Sequence, residues 1–324
     1  MSTCLIGIGA NLGDRAATIR ASFALLAEHP SVETIAVSRL HETAPVGGTA
    51  GQPNFLNAAA RLATSLAPIA LLELLQEIEH RCGRRRGERW SARTLDLDLL
   101  LYGDRVVSDV RLEVPHPRMT FRRFVLQPAA EVASDMVHPR MGWTVARLLD
   151  HLDASLLYIA LGGGTAEWRT RLADELAASC AARLVRAPSA DRSSPTGLSA
   201  GSTLESLRAQ ARALASASWP DVGQLAVSDF WFDQWPLVAD SRDPPELGDA
   251  WQELRGDVVV PRLTVLPAAP HVGHDNRPAP PTNVLDLAIE RYAQHPALGP
   301  VLVVPANDWQ LTVEESVAAC RAMR

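Results

Sequence analysis

The chain has 324 residues, 47% of them hydrophobic, and a formal net charge of −6. This length predicts two globular domains, and the acidic charge argues against a general nucleic-acid-binding protein. We expect neither a membrane-spanning helix nor a signal peptide, because no run approaches about 18 apolar residues and no basic segment precedes an apolar one at the N-terminus.

The cysteine and lysine content bears on the cellular compartment and on the catalytic mechanisms open to the protein. The cysteines are scattered without a Cys-x-x-Cys pair, at Cys4, Cys82, Cys180 and Cys320. This pattern predicts a reduced, cytoplasmic protein with neither disulfides nor a zinc site. All 31 basic residues are arginine. A mechanism that requires a lysine is therefore excluded.

The first half of the chain alternates predicted strands and helices. Strands are expected at residues 4–9, 32–40, 55–63, 94–102 and 106–114, and helices at 16–28 and 68–82, with a helical turn at 119–124. The order strand–helix–strand–strand–helix–strand predicts an α+β domain with a ferredoxin-like antiparallel sheet and helices on one face. We assign residues 1–150 to this domain.

A second domain, residues 153–324, is expected after a boundary near residues 150–155. Leu156–Leu161 predicts a buried strand, and Gly162–Gly164 and a helix over Trp168–Arg183 follow it. A strand, a glycine turn and a helix are how a P-loop domain begins. The pattern predicts an α/β, P-loop-kinase-like domain with a parallel sheet.

The segment Arg84–Asp98 carries most of the chemistry. Asp96 and Asp98 lie on a leucine-rich strand, where alternate side chains share one face, and two such carboxylates suit Mg²⁺. The residues before them supply planar guanidinium groups that match phosphate, as nucleotide-dependent phosphoryl transfer requires. They are Arg84, Arg85, Arg86, Arg89 and Arg93, with Trp90 among them. The residues alone leave a second interpretation open, in which the two aspartates form a solvated face balanced by arginines.

The run Arg89-Trp90-Ser91-Ala92-Arg93-Thr94-Leu95-Asp96-Leu97-Asp98 resembles the signature of the 6-hydroxymethyl-7,8-dihydropterin pyrophosphokinases, enzymes of folate biosynthesis. Further matching segments lie at residues 7–14, 42–47, 52–59, 114–119 and 123–129. The resemblance covers about residues 3–145 and implies transfer of pyrophosphate from ATP to the hydroxymethyldihydropterin, with release of AMP. The expected partners are these small molecules.

The resemblance also implies a role for individual residues. Asp96 and Asp98 would hold two Mg²⁺ ions between ATP and the pterin. The implied phosphate contacts are Arg84, Arg86, Arg93, His116 and Arg122, with Arg123 as the alternative to Arg122. Gln76 and Trp90 would join the ATP site, whereas Glu79 is interpreted equally well as a solvated helix charge. The implied pterin contacts are Thr43, Pro45, Val46, Phe55, Asn57, Trp90 and Phe124.

The second half resembles the deoxynucleoside kinases more faintly, through its opening strand and the segments at residues 227–233, 261–266 and 299–304. Aligning Gly163 with the first P-loop glycine puts Trp168 at the second glycine, Arg169 at the lysine and Thr170 at the hydroxyl. Without a lysine, and with an indole where phosphate should approach, we expect a non-catalytic domain. A working nucleoside kinase and a scaffold that forms a homodimer are the alternatives.

Overall fold

The computed structural model describes residues 1–48, 51–84, 91–154, 156–186, 204–221, 223–231, 245–256, 258–268 and 299–324. The chain divides into two compact units, Met1–His151 and Leu152–Arg324. Among the described residues, no helix has an apolar stretch long enough to cross a membrane.

The first unit is built on an antiparallel sheet. Its strands are β1 (Ser2–Ala10), β2 (Val32–Val37), β3 (His41–Thr43), β4 (Phe55–Thr64) and β5 (Asp96–Tyr102). Their order is β2-β4-β1-β5, with β3 also paired to β4, and every pairing is antiparallel. This is the ferredoxin-like arrangement that the element order predicts. Central β1 therefore lies between the strand that carries Asn57 and the strand that carries the two aspartates.

Two helices cover one face of this sheet, α1 (Arg15–Glu28) and α2 (Pro68–Arg81). The Asp14 side chain begins α1 by accepting a hydrogen bond from the Ala17 N–H at 3.0 Å, and a proline is the first residue of α2. Both helices pack on Cys4, Ile6 and Ile8, which alternate along β1, and this contact forms the core of the unit.

A third helix, α3 (Arg123–Ala133), lies against the opposite face. Arg61 of β4, the register partner of Leu5, pairs with Asp135 just beyond α3 at 2.7 Å. The prediction of helices on one face alone is therefore wrong. The second face also carries apolar side chains, Leu5 and Leu101, which are fully buried. Burying them from water requires a helix on this face as well.

The predicted strand at residues 106–114 is also wrong, because it is a hairpin of β6 (Val107–Ser108) and β7 (Glu113–Val114). Asp109 turns the chain by accepting from the Arg111 N–H at 2.9 Å. The unit also contains a 3₁₀ turn (Met119–Phe121), β8 (Val137–His138), β9 (Trp143–Thr144) and the part of α4 (Val145–Ala154) that precedes Leu152.

The second unit contains a parallel sheet, as predicted. Its strands are β10 (Tyr158–Leu161), β11 (Arg183–Val185), β12 (Ala226–Ser228), β13 (Leu263–Ala268) and β14 (Val301–Pro305), in the order β11-β12-β10-β13-β14. Its described helices are α5 (Ala166–Cys180), α6 (Leu204–Ala215), α7 (Pro245–Arg255) and α8 (Trp309–Ala322). All four residues of β10 are buried, which suits the middle of a parallel sheet.

Helix α5 begins two residues earlier than the sequence predicts, because Thr165 caps it. The Thr165 hydroxyl accepts from the Trp168 N–H at 3.1 Å, and the helix ends where Ala181 takes a left-handed conformation (φ 52°). Residues 187–203, 232–244 and 269–298, where part of the kinase resemblance falls, lie outside the described residues.

Candidate active site

A cavity of about 310 Å³ lies on the second face of the first sheet, between β1, β4, β5, the loop after β3 and the start of α3. It brings together most of the residues that the sequence selects. Those that line it are Thr43, Val46, Phe55, Asn57, Arg84, Arg93, Asp96, Asp98, His116, Arg122 and Phe124.

The floor of the cavity is formed by two glycines of β1. Gly7 pairs with Asp98 and Gly9 with Asp96, so the glycines and the carboxylates share one face. A Cβ at Gly7 would lie 3.3 Å from Leu100, and one at Gly9 would lie 3.4 Å from the Asn57 Oδ1. Side chains at these two positions would therefore crowd Leu100 and Asn57, which also line the cavity. The alternating Gly-Ile-Gly of a buried strand was the available sequence signal for this role.

Asp96 is held between two arginines. Its Oδ1 accepts from Arg84 Nη1 at 2.7 Å and its Oδ2 from Arg93 Nη1 at 2.8 Å. Burial raises the pKa of Asp96, and the nearby charge of Asp98 adds to this effect, while the two guanidinium groups oppose it. Carboxylates and guanidinium groups thus lie close together in a cavity that is partly shielded from water.

Glu79 of α2 is buried beside the candidate site, although the sequence did not distinguish it from a solvated helix charge. Its carboxylate pairs with Arg84 and accepts a hydrogen bond from the Leu97 N–H at 2.7 Å. Only 7% of the residue is exposed, so the interpretation as a solvated charge is wrong. The signal was its position four residues after buried Leu75, which places an acid on the apolar stripe of the helix.

His116 is held as a neutral imidazole. Burial, with the Arg122 and Arg118 guanidinium groups nearby, lowers the pKa of His116 to about 3. Its Nδ1 accepts from the Arg118 N–H at 3.1 Å, which leaves the ring proton on Nε2. Within the cavity this side chain can therefore donate a hydrogen bond without carrying charge.

The other end of the cavity is suited to a flat, polar ring. Phe55 and Phe124 line it, and buried Asn57 donates from Nδ2 to the Thr43 hydroxyl at 2.8 Å. The Arg122 guanidinium carbon lies 5.6 Å from the centre of the Phe124 ring, at the junction of the aromatic and charged ends.

Comparison with known proteins identifies the family of the first unit. The model of the 7,8-dihydro-6-hydroxymethylpterin-pyrophosphokinase (HPPK) family matches residues 5–134. The 2-amino-4-hydroxy-6-hydroxymethyldihydropteridine pyrophosphokinase of Synechocystis is 38% identical over 164 residues, which cover 49% of this chain and 83% of the relative. The chain belongs to the HPPK family.

Further relatives support the same assignment. The HPPK enzyme of Bacillus subtilis is 47% identical over 131 residues, 40% of this chain and 78% of that protein. The bifunctional protein FolKE of Lactococcus lactis is 37% identical over 135 residues, 42% of this chain and 38% of that protein. HPPK membership makes the chain an enzyme of the transferase class, with ATP as co-substrate. The resemblance predicted for the first half is confirmed, and the family match ends before the second unit begins.

Some residues selected by the HPPK resemblance do not line the cavity. Gln76 is exposed on α2, and Pro45 lies in the loop after β3 but outside the cavity lining. Arg123 begins α3, whereas its neighbour Arg122 lines the cavity. Arg86 and Trp90 lie outside the described residues, and their roles stay predictions.

The glycine turn of the second unit, which the HPPK match does not reach, is filled by Arg169. Arg169 is 5% exposed, and its guanidinium donates to the carbonyls of Gly163 at 2.8 Å, Gly164 at 3.0 Å and Asp229 at 2.9 Å. The Trp168 ring packs within 3.2 Å of the place where a Gly164 Cβ would stand. The backbone carbonyls of the turn are therefore hydrogen-bonded by a side chain of the same unit.

Proposed function

We propose that the first unit transfers the terminal pyrophosphoryl group of ATP to 6-hydroxymethyl-7,8-dihydropterin, giving its diphosphate and AMP in folate biosynthesis. The observation that carries this proposal is the single cavity that joins an aromatic, amide-lined end to an end with two carboxylates and several arginines. An acceptor ring at the first end would bring its hydroxymethyl oxygen towards phosphates held at the second.

In this reaction the hydroxymethyl oxygen attacks the β-phosphorus of ATP and loses its proton to solvent, and the bond from that phosphorus to the α,β-bridging oxygen breaks. AMP leaves with that oxygen. The protein's part is to position both substrates and to stabilise charge on the transferred phosphates. Arg84, Arg93 and Arg122 supply fixed positive charge, and the neutral His116 supplies an N–H donor for a phosphate oxygen.

Asp96 and Asp98 fit a Mg²⁺ site that is shared with substrate. Magnesium commonly binds through one or two carboxylates together with phosphate oxygens and water. In the part of the chain that the structure describes, no group of three or more His, Cys, Asp or Glu side chains could hold a metal ion without substrate. We place two ions on this pair; when bound, they would neutralise charge on the transferred group. Arg84 and Arg93, which now pair with Asp96, can pair with phosphate oxygens through the same planar fork.

At the other end, Phe55 and Phe124 would stack on the pterin faces, while Asn57 and Thr43 would bond its edge. The Asn57–Thr43 hydrogen bond fixes the orientation of the amide, so that specific polar atoms of the ring can be matched.

The test is to incubate the full chain with ATP, Mg²⁺ and the pterin and to separate the nucleotides by chromatography. We expect AMP to form in proportion to the pterin consumed, and to form several orders of magnitude more slowly in a parallel preparation of Asp98→Asn. ADP as the nucleotide product, or AMP formation at a near wild-type rate in Asp98→Asn, would contradict the proposal.

We further propose that residues 152–324 form a P-loop-kinase-like domain without kinase activity. The parallel sheet and the glycine turn after its middle strand, β10, support the fold, since ligands of such sheets bind where connections diverge to either side. Two features argue against kinase activity. Arg169 occupies the glycine turn where phosphate would bind, and α5 already begins at Ala166, before the position aligned with the P-loop lysine. The domain's role as an interface between copies of the chain, and the protein's cytoplasmic location, stay predictions.

The second proposal is tested with the full-length Asp98→Asn protein, incubated with ATP and the four deoxynucleosides. We expect no nucleoside monophosphate. Formation of a monophosphate that disappears in Arg169→Ala would show that the second unit is a working kinase.

A further inference from the structure

Asn11 is a buried junction between three segments that border the candidate site. It follows β1 directly, is 1% exposed, and does not line the cavity. Its backbone N–H donates to the Arg93 carbonyl at 3.1 Å, and its side-chain Oδ1 accepts from the Arg93 N–H at 2.7 Å. Both backbone polar groups of Arg93 are thus fixed by one residue.

The amide nitrogen of the same side chain reaches the other side of the site. Asn11 Nδ2 lies 3.3 Å from Gln52 Oε1 and 3.4 Å from the Pro53 carbonyl oxygen. Gln52 Nε2 in turn donates to the Gly47 carbonyl at 3.4 Å. Gly47 lines the cavity next to Val46, and Phe55 lies two residues after Pro53.

Asn11 therefore connects the two ends of the cavity. Arg93 pairs with Asp96 at the phosphate end, and the segments around Gly47 and Phe55 form the pterin end. Because the side chain is buried and its oxygen and nitrogen are both bonded, a shift of either segment breaks a hydrogen bond that water cannot readily replace.

We propose that Asn11 is a positioning residue that couples occupancy of the pterin end to the affinity of the phosphate end. This inference rests on the proposed function. When the pterin fixes the positions of the segments around Gly47 and Phe55, the effect is transmitted through Gln52 and Asn11 to Arg93, so that occupancy of one end favours binding at the other. By linkage, the effect is reciprocal.

The test measures binding rather than turnover, with the full-length protein and Mg²⁺. The probes are 6-hydroxymethylpterin and an ATP analogue whose α,β-bridging oxygen is a methylene, which blocks transfer. Calorimetry gives the affinity of the analogue with and without the pterin, and the ratio is the coupling factor. For the wild type we expect the pterin to tighten analogue binding.

Two variants break the connection at different places. Asn11→Asp keeps an acceptor for the Arg93 N–H but can no longer donate to Gln52 and Pro53. Gln52→Ala removes the partner on the other side. In both we expect the coupling factor to fall about fivefold or more, the lower end of typical coupling between sites. The affinity for the analogue alone should change much less, and KM for the pterin should rise more than kcat falls.

The matched control is Thr64→Val, at the far end of β4. Thr64 is fully buried, donates to the Ser31 carbonyl at 2.7 Å and accepts from the Leu66 N–H at 3.1 Å. It should lower the melting temperature and leave the coupling factor unchanged.

Absence of coupling in the wild type, or unchanged coupling in Asn11→Asp and Gln52→Ala, would overturn the inference. If the wild type forms AMP while those variants keep their coupling, only the inference on Asn11 fails. If the wild type forms no AMP, the proposed function fails and the inference fails with it.

Discussion

The Glu79 carboxylate on α2 accepts a 2.7 Å hydrogen bond from the backbone N–H of Leu97, the residue between Asp96 and Asp98. The same carboxylate pairs with Arg84, which also holds Asp96. Burial raises the pKa of Glu79 to about 7, although the Leu97 N–H and Arg84 oppose this rise. One buried acid thus ties the helix to the acidic strand and to the first arginine of the site.

This relationship predicts different outcomes for two substitutions of Glu79. Glu79→Ala leaves the buried Leu97 N–H without an acceptor, which should cost about 1–3 kcal/mol of stability. Glu79→Gln retains an oxygen acceptor, so its cost should be smaller, while the charge that holds Arg84 is lost in both. Urea denaturation measures the two free energies of unfolding. Equal losses would show that the Leu97 hydrogen bond contributes little.

A second prediction concerns the two carboxylates on the cavity floor. Asp96→Asn and Asp98→Asn should each lower turnover by several orders of magnitude, because each removes a charged ligand for Mg²⁺. The fold should persist, since neighbouring β5 residues Leu97 and Leu99 supply its buried contacts. The rate of AMP formation and a thermal melt are the two measurements. Near wild-type turnover in either variant would refute the metal assignment.

A third prediction concerns the aromatic end of the cavity. Phe124→Ala should weaken pterin binding by about 1–3 kcal/mol, the scale of losing one stacked aromatic, with a smaller effect on ATP. Phe23→Ala is the matched control, because Phe23 packs in the core on the opposite face of the sheet. Scanning calorimetry should show a lower melting temperature for the control, and titration calorimetry should show an unchanged pterin affinity. A larger loss for ATP than for pterin in Phe124→Ala would place the residue in the other subsite.

A fourth prediction concerns Cys180, in the second unit. A hydrogen bond from Cys320 lowers the pKa of Cys180, and the charges of Arg321 and Arg324 add to this effect while burial opposes it. Because the thiolate is the nucleophile, alkylation of Cys180 by iodoacetamide should rise with pH through a midpoint below the ordinary value of a free thiol. Cys4 should stay unreactive there, since burial raises its pKa to about 12.

Peptide mass spectrometry over a pH series checks this prediction, with Cys320→Ala as the control. Removing the hydrogen-bond donor should move the midpoint upwards. A midpoint for Cys180 at the ordinary value of a free thiol in the wild type would contradict it.

The sequence predicted what depends on local pattern. The order of strands and helices indicated the ferredoxin-like sheet, and strand alternation put Asp96 and Asp98 on one face. The parallel sheet of the second unit followed from the continuous apolar run of β10.

What the sequence did not predict depends on packing between distant segments. Glu79 is an acid on an apolar stripe, and only the position of β5 shows that Leu97 and Arg84 are its partners. Asn11 lies within a matching motif, but its hydrogen-bond partners, Gln52 and Arg93, are 41 and 82 positions away. The burial of Arg169 in the glycine turn likewise follows from contacts that no spacing rule states.

The central claim is that two phosphates move together. It is tested most directly by incubating the full chain with the pterin and ATP that carries radioactive phosphorus at either the β or the γ position. We predict that both labels appear in the pterin product in equal yield, and that the AMP released is unlabelled. Transfer of the γ label alone, with the β label retained in ADP, would contradict the account.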